Sequence, residues 1–218
     1  MSAADLGVVS VVDAVTADLR TRILSGALAS GQPLGEVDTA THYGVARPTV
    51  RAAIEALVGA GLLTRGAHKS ARVAELGAAD AADIYSTRER IEAEVVRELA
   101  LRRASAPEAE RANALLTDMA GEDPLTIVDA DMRFHSALVD AVGSPRTSRV
   151  YRMLADEVRL CMTRTQSADL LTVADIAHEH DRILGAIADG DADGAAAILR
   201  DHLQRARERL VAHLESAV

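Results

Sequence analysis

Cysteine and aromatic residues are nearly absent from this chain of 218 residues. Cys161 is the single cysteine, so no disulfide can form within the chain. Tryptophan is missing, Phe134 is the one phenylalanine, and aromatic side chains make up 2% of the sequence. A core must therefore be assembled from Leu, Ile, Val and Ala, which favours helices in close contact. Long apolar runs are missing too. No stretch approaches 18 uncharged apolar residues, which excludes a membrane-spanning helix. The first residues lack the basic and apolar regions of a signal peptide, so a cytoplasmic protein with no membrane partner is expected. Basic charge is also short. Lys and Arg number 24 against 33 Asp and Glu, a net charge of −9 that on its face disfavours nucleic acid.

The distribution of charge changes that reading. Residues 1–75 hold seven basic and seven acidic side chains, and residues 76–218 hold the other 17 and 26. Within 45–72, Arg47, Arg51, Arg65, Lys69 and Arg72 face Glu55 alone. A small basic footprint thus sits in an acidic protein, as a DNA-reading segment requires. Hydrophobic residues at 49% supply ample core.

Punctuation along the chain supports two domains behind a flexible stretch at 1–10. The first, at 11–75, begins with a helix at about 12–25, on which Val15, Leu19, Ile23 and Leu24 recur at helical spacing. Ser30-Gly31-Gln32-Pro33 reads as a turn, 36–43 as a short helix, and Gly44 as its break. Pro48 suits the first turn of a further helix that runs to about Ala60. Residues 62–64 and 71–73 read as two strands of a hairpin. This order predicts a winged helix-turn-helix. From 76 to 218 helical periodicity dominates, with helices expected at 78–104, 107–120, 124–142, 145–166, 170–189 and 191–215. Their short connections predict an antiparallel six-helix bundle and a mainly α protein.

Chemistry concentrates at two places. In the first domain, Val50, Ile54, Leu57 and Val58 form the inward stripe of the third helix, while Arg47 and Arg51 share a face at its N-terminus. Recognition helices present such N-terminal residues to base edges. Arg can fork guanine, and Thr49 can meet a phosphate or a thymine methyl. Ala46 stands where a capping side chain would, at a cost of about 1 kcal/mol. In the second domain, Asp131 and His135 project from one helix face, and His180 lies in the stripe of Ile176, Ile183, Leu184 and Ile187, with His178 directed away. His202 follows Ile198 and Leu199 on the last helix. One carboxylate and three imidazoles within a bundle are costly without partners, and a divalent cation satisfies all four. Zn²⁺ suits this set best, with Ni²⁺ or Mn²⁺ as alternatives. Arg88, among Ile84, Ile91, Val95 and Leu99, either pairs with Glu92 or forks a ligand carboxylate. Cys161 reads as a small core residue.

The first domain resembles the GntR superfamily of transcription regulators. The resemblance rests on Leu19-Arg20, Ile23 to Gly26, Gly31-Gln32-Pro33-Leu34, Glu36, Gly44-Val45, Arg47-Pro48-Thr49-Val50-Arg51 and Gly61-Leu62-Leu63. It implies DNA contacts by Arg47, Thr49 and Arg51, with a wing around Gly66 and His68 in the minor groove. Thr39, Ala46, Ala52 and Ser70 depart from the family's usual Leu, Ser, Glu and Gly. The second domain resembles the FCD ligand-binding domain of the FadR subfamily, in its shorter VanR-like form. The matching residues are Arg88, Ile91-Glu92, Asp131, Phe134-His135, Glu179-His180, Ile183-Leu184, Gly190-Asp191 and Asp201-His202-Leu203. The resemblance implies metal ligation by Asp131, His135, His180 and His202 and a carboxylate effector held by Arg88. A homodimeric repressor on a near-palindromic double-stranded operator, released by a small carboxylate, is the expectation. A metal-dependent enzyme, or a regulator that senses the metal itself, stands as the alternative.

Overall fold

The computed structural model describes residues 10–66, 70–119, 122–163 and 172–216. The chain divides into two compact units, 1–75 and 76–218.

The first unit opens with helix α1 (Val11–Leu24), whose first turn is closed by the Ser10 hydroxyl accepting from the Asp13 N–H. Strand β1 (Pro33–Leu34), helix α2 (Glu36–Tyr43) and helix α3 (Arg47–Gly59) follow. Gly44 ends α2 in the left-handed region at φ 64°, where glycine carries no Cβ penalty. Its N–H reaches back to the α2 carbonyls, and the chain enters α3 three residues later, at Arg47. Ala46 at the α3 N-cap makes no side-chain hydrogen bond, as the sequence predicts. Val15, Leu19 and Ile23 of α1 pack with Val50, Ala53, Ile54 and Leu57 of α3, all essentially removed from solvent.

The expected two-stranded wing is three-stranded. Strands β2 (Leu63–Thr64) and β3 (Ala71–Val73) pair antiparallel, and β1 adds to the other edge of β3 in the order β1-β3-β2. The segment around Gln32-Pro33 is thus a turn that continues into a strand. Pro33 tolerates this position because an edge strand does not need its N–H. Gly31 adopts φ 73° beside the Glu75 carboxylate, which makes the sharp entry possible.

The second unit contains, among the described residues, helices α4 (Ala78–Leu101), α5 (Pro107–Thr117), α6 (Pro124–Ala141), α7 (Pro145–Thr163), α8 (Val173–Asp189) and α9 (Ala192–Ser216). The expected ends at 120, 166 and 170 lie outside the described residues. Helix α4 stops at Leu101 rather than 104, because Arg103 turns to φ 45° and the Arg103 and Ala104 N–H groups close onto Ala100 and Leu99. Helices α4 and α9 run antiparallel, joined by Arg97–Asp193, Glu89–Arg200 and Ser86–Arg207 contacts. The core between the helices gathers Val96 and Leu99 of α4, Phe134 and Leu138 of α6, Ile183 of α8 and Leu199 and Leu203 of α9. Cys161 is buried in the same core. Among the described residues no helix is long and apolar enough to cross a membrane.

Candidate metal centre and DNA-reading face

Three helices of the second unit bring four ligand-type side chains to one point. Asp131 and His135 come from α6, His180 from α8 and His202 from α9, and their ligand atoms all lie within 4.8 Å of one another. The imidazoles are buried and Asp131 is partly exposed. Asp131 Oδ1 lies 3.3 Å from His180 Nε2 and 3.6 Å from His135 Nε2. The Nε2 atoms of His135 and His202 stand 3.1 Å apart. Phe134 stacks on the His180 ring at 3.6 Å between centroids and fixes its plane. His178 points outward, as its offset on α8 predicts.

Each imidazole is held from behind. His135 Nδ1 meets Glu92 Oε2 at 2.6 Å, His202 Nδ1 meets Glu179 Oε2 at 2.7 Å, and His180 Nδ1 meets Asn113 Oδ1 at 3.0 Å. All three partners are acceptors, since Asn113 spends its NH₂ on the Ala177 carbonyl and Asp181. The neutral rings therefore carry their protons on Nδ1 and aim Nε2 lone pairs at a common point. This is the arrangement by which outer partners orient metal-binding histidines. Two lone pairs facing each other repel unless a proton or cation lies between them. The buried His180 Nε2, moreover, makes no hydrogen bond at all. The donor set and these unsatisfied atoms fit a divalent cation.

Charge at the centre is strongly perturbed. Burial pulls the His135 imidazole down, but the Glu92 and Asp131 carboxylates outweigh it and push it up to about 9. Burial dominates at His180 and lowers it to about 3, despite the opposing effect of Asp131. Burial pushes the Asp131 carboxyl up, yet His135 and His180 together hold it well below its usual range. The bare site is thus poised between a proton on His135 and a cation in its place.

Glu92 links this centre to Arg88. Its Oε1 accepts from Arg88 Nε and from the Tyr151 hydroxyl, each at 2.8 Å, while Oε2 faces His135. Burial raises the Glu92 carboxyl, but Arg88 and His135 bring it down to about 2. Arg88 is 1% exposed, lies over the Tyr85 ring at 4.9 Å, and leaves Nη2 buried without a hydrogen bond. The two readings of Arg88 are therefore compatible. It pairs with Glu92 and still keeps an unused donor.

The outer partners are what sequence reasoning missed. Glu92 was visible as an i+4 neighbour of Arg88 and within the Ile91-Glu92 match to the FCD domain, but not as the partner of His135. Asn113 had a signal, as an amide within the apolar face of Ala109, Ala112 and Leu116 on α5. Glu179 was legible only within the Glu179-His180 match to the FCD domain, and its hold on His202 depends on how α9 docks.

In the first unit the structure places Arg47 and Arg51 exposed at the start of α3, with Thr49 half-buried between them. Arg47 makes no ion pair among the described residues. Arg51 forks Glu36 of α2, with Nη2 to Oε2 at 2.8 Å and Nε to both oxygens at 3.2 Å. Arg65 also reaches Glu36 at 3.2 Å and pairs with Glu55. The basic footprint is thus weaker than the window 45–72 suggests, because Glu36 lies outside that window in sequence and inside it in space. Gly66 is exposed, and His68 lies outside the described residues.

Comparison with known proteins matches both units. Residues 11–73 fit the family described as bacterial regulatory proteins, gntR family, and residues 83–205 fit the FCD domain. The chain is 27% identical over 208 residues to the HTH-type transcriptional regulator BphR of Paraburkholderia xenovorans, covering 89% of this chain and 83% of that one. Among solved structures, a transcriptional regulator GntR from Rhodococcus sp. RHA1 aligns with a TM-score of 0.80 at 24% identity, over 92% of this chain and 97% of the other. McbR/YncC of E. coli aligns with a TM-score of 0.74 at 19% identity, over 97% and 100%. These two likenesses are of fold.

Proposed function

Given that the chain belongs to the GntR family of transcription regulators and carries an FCD domain, we propose that it is a metal-loaded homodimeric repressor, released from its operator by a small carboxylate. The family is one of DNA-binding regulators rather than enzymes, so the metal-dependent enzyme falls away. The observation that carries the proposal is the pairing of three oriented imidazoles with an Arg88 donor left unused one carboxylate away. Asp131, His135, His180 and His202 would hold the ion, with Zn²⁺ the best match to a set of three imidazoles and one carboxylate and Ni²⁺ or Mn²⁺ as alternatives. A bound divalent ion supplies a Lewis-acidic point for an anion. Arg88 would fork or clamp the other end of that anion through Nη2.

The DNA-reading residues would be Arg47, Thr49 and Arg51 at the head of α3, together with Gly66 and with His68, which lies outside the described residues. Arg47 is the free reader. Arg51 must exchange Glu36 for DNA, an exchange that costs little because exposed ion pairs are weak. Two copies would place two α3 helices in successive major grooves of a near-palindromic operator in the cytoplasm. The effector would act by binding one arrangement of the DNA-reading units better than the other.

A gel-shift titration on the operator, with metal-loaded protein and a panel of small carboxylates, tests this reading. The expected result is tight binding that one carboxylate class releases, with the same class raising the melting temperature. DNA affinity that follows metal content and ignores every carboxylate would replace this reading with a metal sensor.

A further inference from the structure

Two of the three imidazoles stand at the end of the same kind of relay. On one side Arg88 holds Glu92 and Glu92 holds His135, each through a different carboxylate oxygen. On the other side Arg205 Nη2 lies 2.6 Å from Glu179 Oε1, and Glu179 Oε2 meets His202 Nδ1 at 2.7 Å. Arg, Glu and His thus repeat in that order, once across α4 and α6 and once across α9 and α8. His202 and Arg205 are three apart on α9, so they are neighbours on its surface and grip one carboxylate of α8 together.

The two relays differ in their surroundings. Arg88 and Glu92 are 1% and 2% exposed, and the Tyr151 hydroxyl adds a further hold on Glu92. Arg205 is 39% exposed and Glu179 is 14% exposed. Among the described residues, His202 and Arg205 are the side chains that hold the Glu179 carboxylate. Of the two ionic relays, the one that ends at His202 is therefore the one open to water.

We propose that Arg205 is a positioning residue of the metal centre, which holds His202 through Glu179 and makes His202 the ligand that lets go first. The inference rests on the metal reading given above and adds a residue to it. With Arg205 in place, Glu179 is pinned at one oxygen and offers the other to His202. That keeps the imidazole proton on Nδ1 and the lone pair on Nε2. Without Arg205, an unpaired carboxylate at the edge of the bundle is better solvated by water and turns outward. His202 is then free to take its other tautomer, with a proton on the Nε2 that a cation needs bare. Salt and water screen a partly exposed pair, whereas the buried Arg88–Glu92 pair is screened much less. The hold on His202 thus weakens with salt and the hold on His135 does not.

The test follows release of Zn²⁺ from the full chain into excess chelator, for the wild type, R205Q and R205K. R205Q is expected to release Zn²⁺ about tenfold faster or more at low salt, since loss of an outer partner costs about 10–100-fold in metal affinity. R205K is expected to restore the rate, because Arg205 meets Glu179 through one nitrogen that an ammonium can replace. Added sodium nitrate should speed release from the wild type and leave R205Q unmoved. A second readout needs no metal. Imidazole nitrogen chemical shifts of the metal-free protein should place the His202 proton on Nδ1 in the wild type and on both nitrogens in R205Q. Equal release from the wild type and R205Q, failure of R205K to restore the rate, or an unchanged His202 tautomer overturns the role of Arg205 and leaves the metal reading standing. A wild-type rate indifferent to salt overturns His202 as the first ligand to leave. A wild type that takes up no Zn²⁺ overturns the metal reading instead, and the nitrogen shifts then decide whether Arg205 orients His202.

Discussion

Single atoms decide what the second unit can do. His180 Nε2 and Arg88 Nη2 are buried without hydrogen bonds, and burying polar groups in that state is unfavourable unless something satisfies them. Glu92 matters because it touches both halves of the site through different oxygens. Replacing Glu92 with Gln should keep the shape but lose the anion that orients His135. Metal affinity should fall about 10–100-fold, read by competition with a calibrated chelator. Arg88→Ala is a poor probe, since it strands the Glu92 charge at a cost of about 3–5 kcal/mol. Arg88→Lys keeps the charge and removes the fork. Metal stoichiometry should stay at its original value while carboxylate affinity drops at least tenfold by calorimetry. Loss of metal instead would mean that Arg88 acts only through Glu92.

At the scale of elements, α3 is the informative helix. It begins at an uncapped Ala46 whose backbone is already extended, at φ −69° and ψ 144°, the conformation of an N-cap. Ala46→Ser should therefore stabilise the first unit by about 1 kcal/mol, visible as a rise in its melting temperature. The same helix carries Arg47 with no competing carboxylate and Arg51 with one. Arg47→Ala should weaken operator binding about tenfold to a hundredfold at fixed salt, in the range for a lost base contact. Glu36→Gln should strengthen binding to unrelated DNA, because it releases Arg51 and leaves Arg65 with Glu55 as its one remaining carboxylate. An unchanged affinity of E36Q in a gel shift would show that the ion pair imposes no restraint on DNA contact.

On the scale of the whole molecule, two units with separate cores should respond separately to metal. The four ligand-type residues come from α6, α8 and α9, so withdrawing the proposed ion would remove a tie between helices that the core alone must then hold. Chelation should lower the melting transition of the second unit and leave that of the first in place. At a thousandfold excess of metal over Kd the contribution is about 4 kcal/mol. A scan that shows no change in either transition on chelation would argue against a metal in this cluster.

Much of this protein was determined by the sequence. The helical stripes at 3.6-residue spacing depend on local order, and so do the glycine at the end of α2 and the bare Ala46. The four inward ligand-type residues were legible because i,i+4 spacing and apolar neighbours place a side chain on a face whatever that face later meets. What faces meet is a different matter. The pairing of β1 with β3, the Glu36 clamp on Arg51 and the Nδ1 partners Glu92, Asn113 and Glu179 all join residues far apart in the chain. Such contacts follow from how helices and strands pack. Periodicity says which side of a helix turns inward, and only tertiary packing says which acceptor waits there, which is why the metal-type cluster was readable and the shell that aims it was not.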